Sequence, residues 1–292
     1  MKTGIQILIA AILVGTAVAK PNKNKLGPAK PENIKKVEAA LPAKAPAKPL
    51  KERKILVVSR CEGFVHRSIP LGVKAIELMG KKTGAYTIEE TKEMTAFTPE
   101  NLKRFDAVLF LSTTRLDPSP EQRKALLEFV RSGKGIIGIH AASDNFYTWE
   151  VGAKMMGGLF CGHPWRAGCT VKVKLDEPDH PINKCFHGES FIVKDEIYQF
   201  KDPYSRKSLR VLTSLDMTDP DTKAVKGGNP KVINRTDNDF GITWVHPEGK
   251  GRVFYCSLGH NEHIFWDARI LQHYLAGIQY ALGDYQIPDQ IK

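Results

Sequence analysis

The chemistry that this sequence can offer is concentrated in four histidines, His66, His140, His163 and His260, which lie at predicted strand ends or in the loops after them. An imidazole can act near neutral pH as acid, base or metal ligand. In an open parallel sheet, ligands bind beyond the carboxyl ends of the strands. Any one of these residues alone is as readily a packed core histidine. The convergence of His66, His140 and His260 on one sheet edge is what points to a site. In His260-Asn-Glu-His263 the carboxylate of Glu262 is two residues from His260 and could orient its ring, which makes His140, His260 and Glu262 the candidate catalytic group. Alternatively, His66, His140 and His163, with Glu62 or Glu196 as the carboxylate, could hold zinc or a similar divalent metal with one position open to water. Their spacings match no fixed metal motif.

Aromatic and polar residues occupy the same loops: Phe64, Tyr147, Trp149 and Trp165 among the former, Arg115, Asp144 and the Asp195-Glu196 pair among the latter. Rings beside a few polar groups suit a sugar and equally suit ordinary packing. The polar residues read equally well as solvated surface. Phe64, Arg115, Asp144, Trp149, Trp165 and Glu196 form the candidate substrate-binding set.

These residues need a frame. Residues 54–59 are a β-branched run, and 68–82 place apolar residues at helical spacing before Gly84. The pattern recurs with a strand at 106–111, a helix at 119–131 entered through Pro120, and a strand at 135–140. Strands that are apolar throughout are buried on both faces, which predicts an α/β fold with a mainly parallel sheet. A helix is expected over 149–156. The middle is irregular, with strands near 170–175, 197–200 and 209–213, and reads as an elaborated or antiparallel extension. Residues 241–246 and 252–258 form a hairpin around Gly249-Lys-Gly251, and a helix over 268–282 closes the domain at Gly283.

The N-terminus reads differently. Met1 and Lys2 precede a largely apolar stretch over 5–14 and then Ala17-Val18-Ala19, the pattern of a secretory signal cleaved after Ala19. The stretch is short of the roughly 20 residues that span a bilayer, and no Cys stands at the junction to take a lipid. An exported protein, periplasmic or extracellular, is expected, with no transmembrane segment after cleavage. Residues 20–53 are rich in Lys, Pro and Ala and read as a disordered linker. Residues 20–54 hold eleven Lys or Arg against three Glu, so most of the formal +11 charge belongs to this tail and gives no reason to expect nucleic-acid binding by the domain at 54–285. Five cysteines, Cys61, Cys161, Cys169, Cys185 and Cys256, leave at least one thiol free, with Cys161 and Cys169 the expected pair and buried inert thiols the alternative.

Several motifs in order, Gly63-Phe-Val-His-Arg-Ser-Ile69, Gly138-Ile-His-Ala-Ala142 with Asp144, Gly157-Gly-Leu-Phe-Cys-Gly-His-Pro164, Asp195-Glu-Ile-Tyr198 and Gly249-Lys-Gly-Arg-Val-Phe-Tyr255 with Leu258-Gly-His260, resemble the ThuA-like (trehalose-utilisation) family. The resemblance runs from Lys54 to Gly283. It implies the class I glutamine amidotransferase-like architecture, a flavodoxin-like three-layer sandwich. That superfamily carries a cysteine nucleophile in a Gly-x-Cys-x-Gly elbow and a late His-x-Glu pair. Here Gly138-Ile-His140 stands at the elbow and His260-Asn-Glu262 resembles the pair. An imidazole cannot form the thioester of glutamine hydrolysis, so amidotransferase activity is not expected. The resemblance implies carbohydrate metabolism, a small carbohydrate ligand and no nucleotide cofactor. The expected function is an exported carbohydrate-processing enzyme, an isomerase, lyase or hydrolase using histidine chemistry, with or without a divalent metal such as zinc, on a glycoside or 3-keto-sugar derivative. A non-catalytic sugar-binding or scaffold protein on an inherited fold is the alternative, and a metal-dependent hydrolase of another substrate is a third reading. The oligomeric state is not set by the sequence.

Overall fold

The computed structural model describes residues 26–290. The expected signal peptide at 1–19 lies outside the described residues. In chain order the helices are α1 (Pro31–Ala40), α2 (Ile69–Thr83), α3 (Pro99–Leu102), α4 (Pro120–Arg131), α5 (Glu150–Met156), α6 (Pro220–Lys223) and α7 (Ala268–Ala281). The strands are β1 (Lys54–Val58), β2 (Thr87–Thr91), β3 (Ala107–Leu111), β4 (Gly135–Ile139), β5 (Leu159–Phe160), β6 (Thr170–Leu175), β7 (Phe191–Lys194), β8 (Phe200–Lys201), β9 (Arg210–Leu215), β10 (Gly241–Glu248) and β11 (Gly251–Cys256).

Among the described residues, nine strands form one sheet in the order β2-β1-β3-β4-β11-β10-β9-β6-β7. The first five run parallel, as the apolar runs at β1, β3 and β4 predict. The remaining four are antiparallel, which makes the irregular middle of the chain an extension of the same sheet. The expected strand at 197–200 does not form. Ile197 makes only an isolated bridge to Trp165, and Phe200–Lys201 pairs with Leu159–Phe160 in a separate two-stranded sheet.

Strand side chains alternate between two cores. Ile55, Val57, Leu109, Leu111, Ile137 and Ile139 pack with α2 and α7 on one face. Leu56, Val58, Val108, Phe110 and Ile136 pack with α4 and α5 on the other. The result is the expected three-layer sandwich. Helix α4 begins with a capping box between Ser119 and Gln122, and α2 stops at Gly84, whose φ of 66° ends the helix in the left-handed region.

The segment over 26–53 is not the disordered linker that its composition predicts. Ile34 and Val37 fall at helical spacing in α1, which packs on α2, with Leu41 buried just beyond its end and Val37 0% exposed. Beyond α1 the chain is fastened to the last helix. Ala47 exchanges two hydrogen bonds with Gln279, at 2.9 and 2.7 Å, and Asp284 accepts from Leu50 N and from the Arg53 guanidinium. Composition averages hid a short apolar stripe, so the folded unit starts well before residue 54. The expected Cys161–Cys169 disulfide is also absent, since all five cysteines are free. No helix among the described residues is long and apolar enough to cross a membrane.

If α1 is part of the core, Val37→Ala removes buried methyl groups and lowers unfolding free energy by about 1–3 kcal/mol. Urea denaturation of the chain from residue 20 checks this, and an unchanged midpoint would restore the linker reading.

Candidate functional site

Sheet register assembles the site. β11 lies parallel to β4 with Cys256 opposite Ile139, so Ser257 and His140 leave the sheet side by side. His140 adopts a left-handed backbone with φ of 52°, a conformation that costs a non-glycine residue about 1–3 kcal/mol. Hydrogen bonds hold it there: its ring Nδ1 donates to Ser257 O at 2.8 Å, and its carbonyl accepts from the Tyr255 hydroxyl at 2.6 Å. With the proton on Nδ1, Nε2 carries a bare lone pair. That atom lies 3.1 Å from His66 Nε2, on the loop between β1 and α2. Both rings are buried, His140 at 0% and His66 at 2% exposure.

His260 arrives on the loop after β11, and Asp195 fixes that loop. The fully buried Asp195 carboxylate accepts from Gly259 N (2.7 Å), His260 N (3.3 Å) and Asn261 N (2.9 Å). From the other side Ser68 Oγ donates to Gly259 O at 2.8 Å. Gly259 has φ of 134°, and a Cβ there would sit 3.2 Å from the His140 Cβ, so both conformation and space favour glycine.

Glu196, next to Asp195, faces the histidines. Its Oε1 lies 3.2 Å from His260 Nδ1 and 3.8 Å from His140 Nε2, and its Oε2 lies 3.3 Å from His163 Nδ1. The His260 approach is close enough for an ion pair but is not aligned as a hydrogen bond. The rings of His66, His140 and His260 stand nearly perpendicular, with centroids 4.7, 5.1 and 5.4 Å apart. One donor atom from each of His66, His140, Glu196 and His260 falls within 4.8 Å of the others.

Burial sets the protonation. It lowers His140 well below the usual imidazole range, with the neighbouring His66 and His260 adding to the effect, and takes His66 down to about 4. Burial would also lower His260, but the Glu196 carboxylate outweighs it and raises that ring.

Of the sequence candidates, His66, His140, His260 and Glu196 come together. His163 is 45% exposed, stacks on Phe160 and meets the cluster through the outer oxygen of Glu196, so it flanks the group. Glu262 does not orient His260. It points back to accept from Asn33 Nδ2 in α1 at 3.2 Å, and Glu196, distant in sequence, takes the expected place. Glu62 pairs with Arg60. Trp165 is a core residue that donates to Thr222 O, and Trp149 packs edge-on against Phe146 in the core, so neither lines the site. Phe64 stands at its rim, 64% exposed, with its ring 4.8 Å from that of His66. Thr114 bridges Cys61 to Asp144 and bonds to Phe64 O, which brings the Arg115–Asp144 ion pair to the same edge. Tyr198, within 4.5 Å of the His140 ring, and Ser257, acting through its carbonyl, were not among the sequence candidates. Tyr198 lies in the Asp195-Glu-Ile-Tyr198 motif, whereas a backbone acceptor leaves no signal in residue type.

Residues 54–281 match the ThuA family, described as trehalose utilisation. The chain belongs to the ThuA family. Two solved structures of ThuA-like proteins share its fold. One, from Bacteroides uniformis, is 24% identical with a TM-score of 0.63 and aligns over 80% of this chain and 91% of its own. Another, from Parabacteroides merdae, is 16% identical with a TM-score of 0.60, over 82% and 93%. At these identities the likeness is one of fold, the class I glutamine amidotransferase-like, flavodoxin-like architecture. No curated protein matches the sequence. In this ThuA-family chain the strand-to-helix elbow holds the buried imidazole of His140.

These pKa shifts carry a stability prediction. Burial takes both His66 and His273 down to about 4 and lowers His140 and His246 as well. Unfolded imidazoles bind protons near pH 6.5, so the stability these four rings contribute is complete above about pH 6.5 and is lost as pH falls toward 4. Asp195 works in the opposite sense: burial raises it to about 7, so it binds its proton first in the folded chain and favours the fold on acidification. His260, raised by Glu196, acts in the same sense as Asp195, but the four rings outnumber these two groups, and the urea midpoint falls between about pH 7 and pH 4.5. A midpoint that holds or rises would show that the rings are solvated.

Proposed function

We propose that this ThuA-family protein is an exported carbohydrate-processing enzyme that uses histidine acid/base chemistry on a glycoside or its keto-sugar derivative. The observation that carries the reading is the bare Nε2 of His140, a buried neutral base, set beside a histidine that Glu196 keeps prone to protonation. Such a pair with separated proton affinities is what acid/base catalysis needs. The family's link to trehalose utilisation supports a sugar as substrate.

A carbonyl acidifies the neighbouring C–H bond. His140 Nε2 takes that proton, the C–H electron pair becomes the new C=C bond, and the carbonyl π electrons move to oxygen as an enolate. Protonated His260 donates to that oxygen. Return of a proton to the other carbon gives isomerisation, while departure of a group from the β-carbon gives elimination. Phe64 offers an exposed ring on which a sugar face can stack, and the Arg115–Asp144 pair offers hydrogen bonds to hydroxyls. With an imidazole at the elbow, no thioester forms and amidotransferase chemistry is excluded from the reading. The signal pattern at 1–19 supports export, with Lys20 as the first residue of the mature chain.

The absence of the superfamily's thiol from the elbow favours one other reading, a sugar-binding protein without turnover. Wild-type and His140→Ala proteins, compared on keto-disaccharides and their parent glycosides, separate the two. The enzyme reading expects turnover that falls at least about 100-fold in the variant while thermal unfolding stays cooperative. Undiminished activity in His140→Ala, or calorimetric binding without product in the wild type, would overturn it.

A further inference from the structure

We propose that His66, His140, Glu196 and His260 form a binding site for one divalent transition-metal ion. The Glu196 carboxylate is buried, and among the described residues its near neighbours are imidazole nitrogens, with no Lys or Arg ion pair and no hydrogen bond in good geometry. Its neighbour Asp195 shows how this protein otherwise settles a buried carboxylate, with three backbone N–H donors. A buried carboxylate needs a positive partner, and a cation at the centre of the group supplies one that the imidazole lone pairs can also bind.

Three of the separations come near the spacing that a single ion imposes, and the widest, within 4.8 Å, closes as the ion binds. His66 Nε2 and His140 Nε2 are 3.1 Å apart, and Glu196 Oε1 lies 3.2 Å from His260 Nδ1 and 3.8 Å from His140 Nε2. Ligands bonded at about 2.0–2.1 Å around a tetrahedral ion are separated by about 3.3 Å. A hydrogen bond between His66 and His140 would account for that one pair of nitrogens and would leave Glu196 as it is. The bond from His140 Nδ1 to Ser257 O is the outer contact that usually orients a metal-bound imidazole with its other nitrogen inward.

Three imidazole nitrogens and one carboxylate oxygen suit zinc, cobalt, nickel or iron, whereas magnesium and calcium prefer sites made of oxygen. His163, on the outer oxygen of Glu196, flanks the ion without ligating it, so His260 stands where the sequence alone suggested His163, and Glu196, one of its two candidate carboxylates, completes the set. The inference is separate from the functional reading, because an ion on His140 Nε2 occupies the lone pair that the base uses, and it rests on geometry that does not require turnover.

The test uses the mature chain, prepared without chelator or immobilised-metal purification. Its metal content is measured by inductively coupled plasma mass spectrometry, and the stripped protein is titrated with Zn²⁺ and Co²⁺ by calorimetry. The expected result is one equivalent, with the intense visible absorption of four-coordinate Co²⁺. Affinity should fall about 100-fold or more in Glu196→Gln and His260→Ala, and less than about 10-fold in His163→Ala. Glu196→Gln preserves volume, and circular dichroism reports whether each variant folds; if neither does, the wild-type stoichiometry and Co²⁺ spectrum decide. Failure to bind one equivalent, or wild-type affinity in folded Glu196→Gln and His260→Ala, would overturn the site. One bound equivalent with these variant effects keeps the site whatever the turnover, and turnover by stripped protein decides the enzyme reading separately.

Discussion

A carboxylate taken out of water must find a positive partner or a set of donors, and two adjacent acids in this protein meet that demand in different ways. Asp195 is satisfied by the backbone: three consecutive N–H groups of the loop after β11 converge on it. Glu196 instead meets the imidazoles of His140, His163 and His260. The first acid holds the loop that carries His260, and the second sets the charge of the ring that the loop presents. Neighbouring residues therefore divide positioning from electrostatics.

The two halves of the sheet contribute different parts. The parallel half brings His66, His140 and the Ser257 carbonyl to one edge by register alone, since Ile139 lies opposite both Leu111 and Cys256. Asp195 and Glu196 follow directly on β7, the outermost strand of the antiparallel half. Backbone strain concentrates along the same edge, with positive φ at Ser112 (48°), Arg115 (58°) and His140 (52°). Strained residues persist where surrounding contacts over-determine them, and at His140 both the ring and the carbonyl are tied down.

Much of this was legible in the sequence. Apolar runs gave the parallel strands, and their ends gave His66, His140 and His260, because side chains leaving adjacent parallel strands must meet at the same edge. What failed rested on nearness in the chain. Glu262 is two residues from His260 but is held by Asn33 of α1, while Glu196 reaches the histidines from 64 residues away from His260 through a strand pairing that no local pattern announces. Trp149 and Trp165 were placed with the site by their loops, yet both bury their rings in the cores. The segment before β1 failed for the opposite reason. Its Lys, Pro and Ala content outweighs a few apolar residues, and only the facing surface on α2 makes Ile34 and Val37 a buried helix face, with Leu41 packed just beyond it.

The central claim is that the fold delivers a neutral imidazole at His140 with its Nε2 lone pair turned toward Glu196, His66 and His260. Long-range ¹H–¹⁵N correlation NMR on histidine-labelled protein near pH 7, with His140 assigned by substitution, reads the proton position directly. The account predicts a proton on Nδ1 and a bare Nε2 at His140 in metal-free protein, and the same Nδ1 proton with Nε2 on the ion once metal is added, because Ser257 O takes the Nδ1 proton at 2.8 Å. An Nε2–H tautomer or an imidazolium at His140 would contradict it.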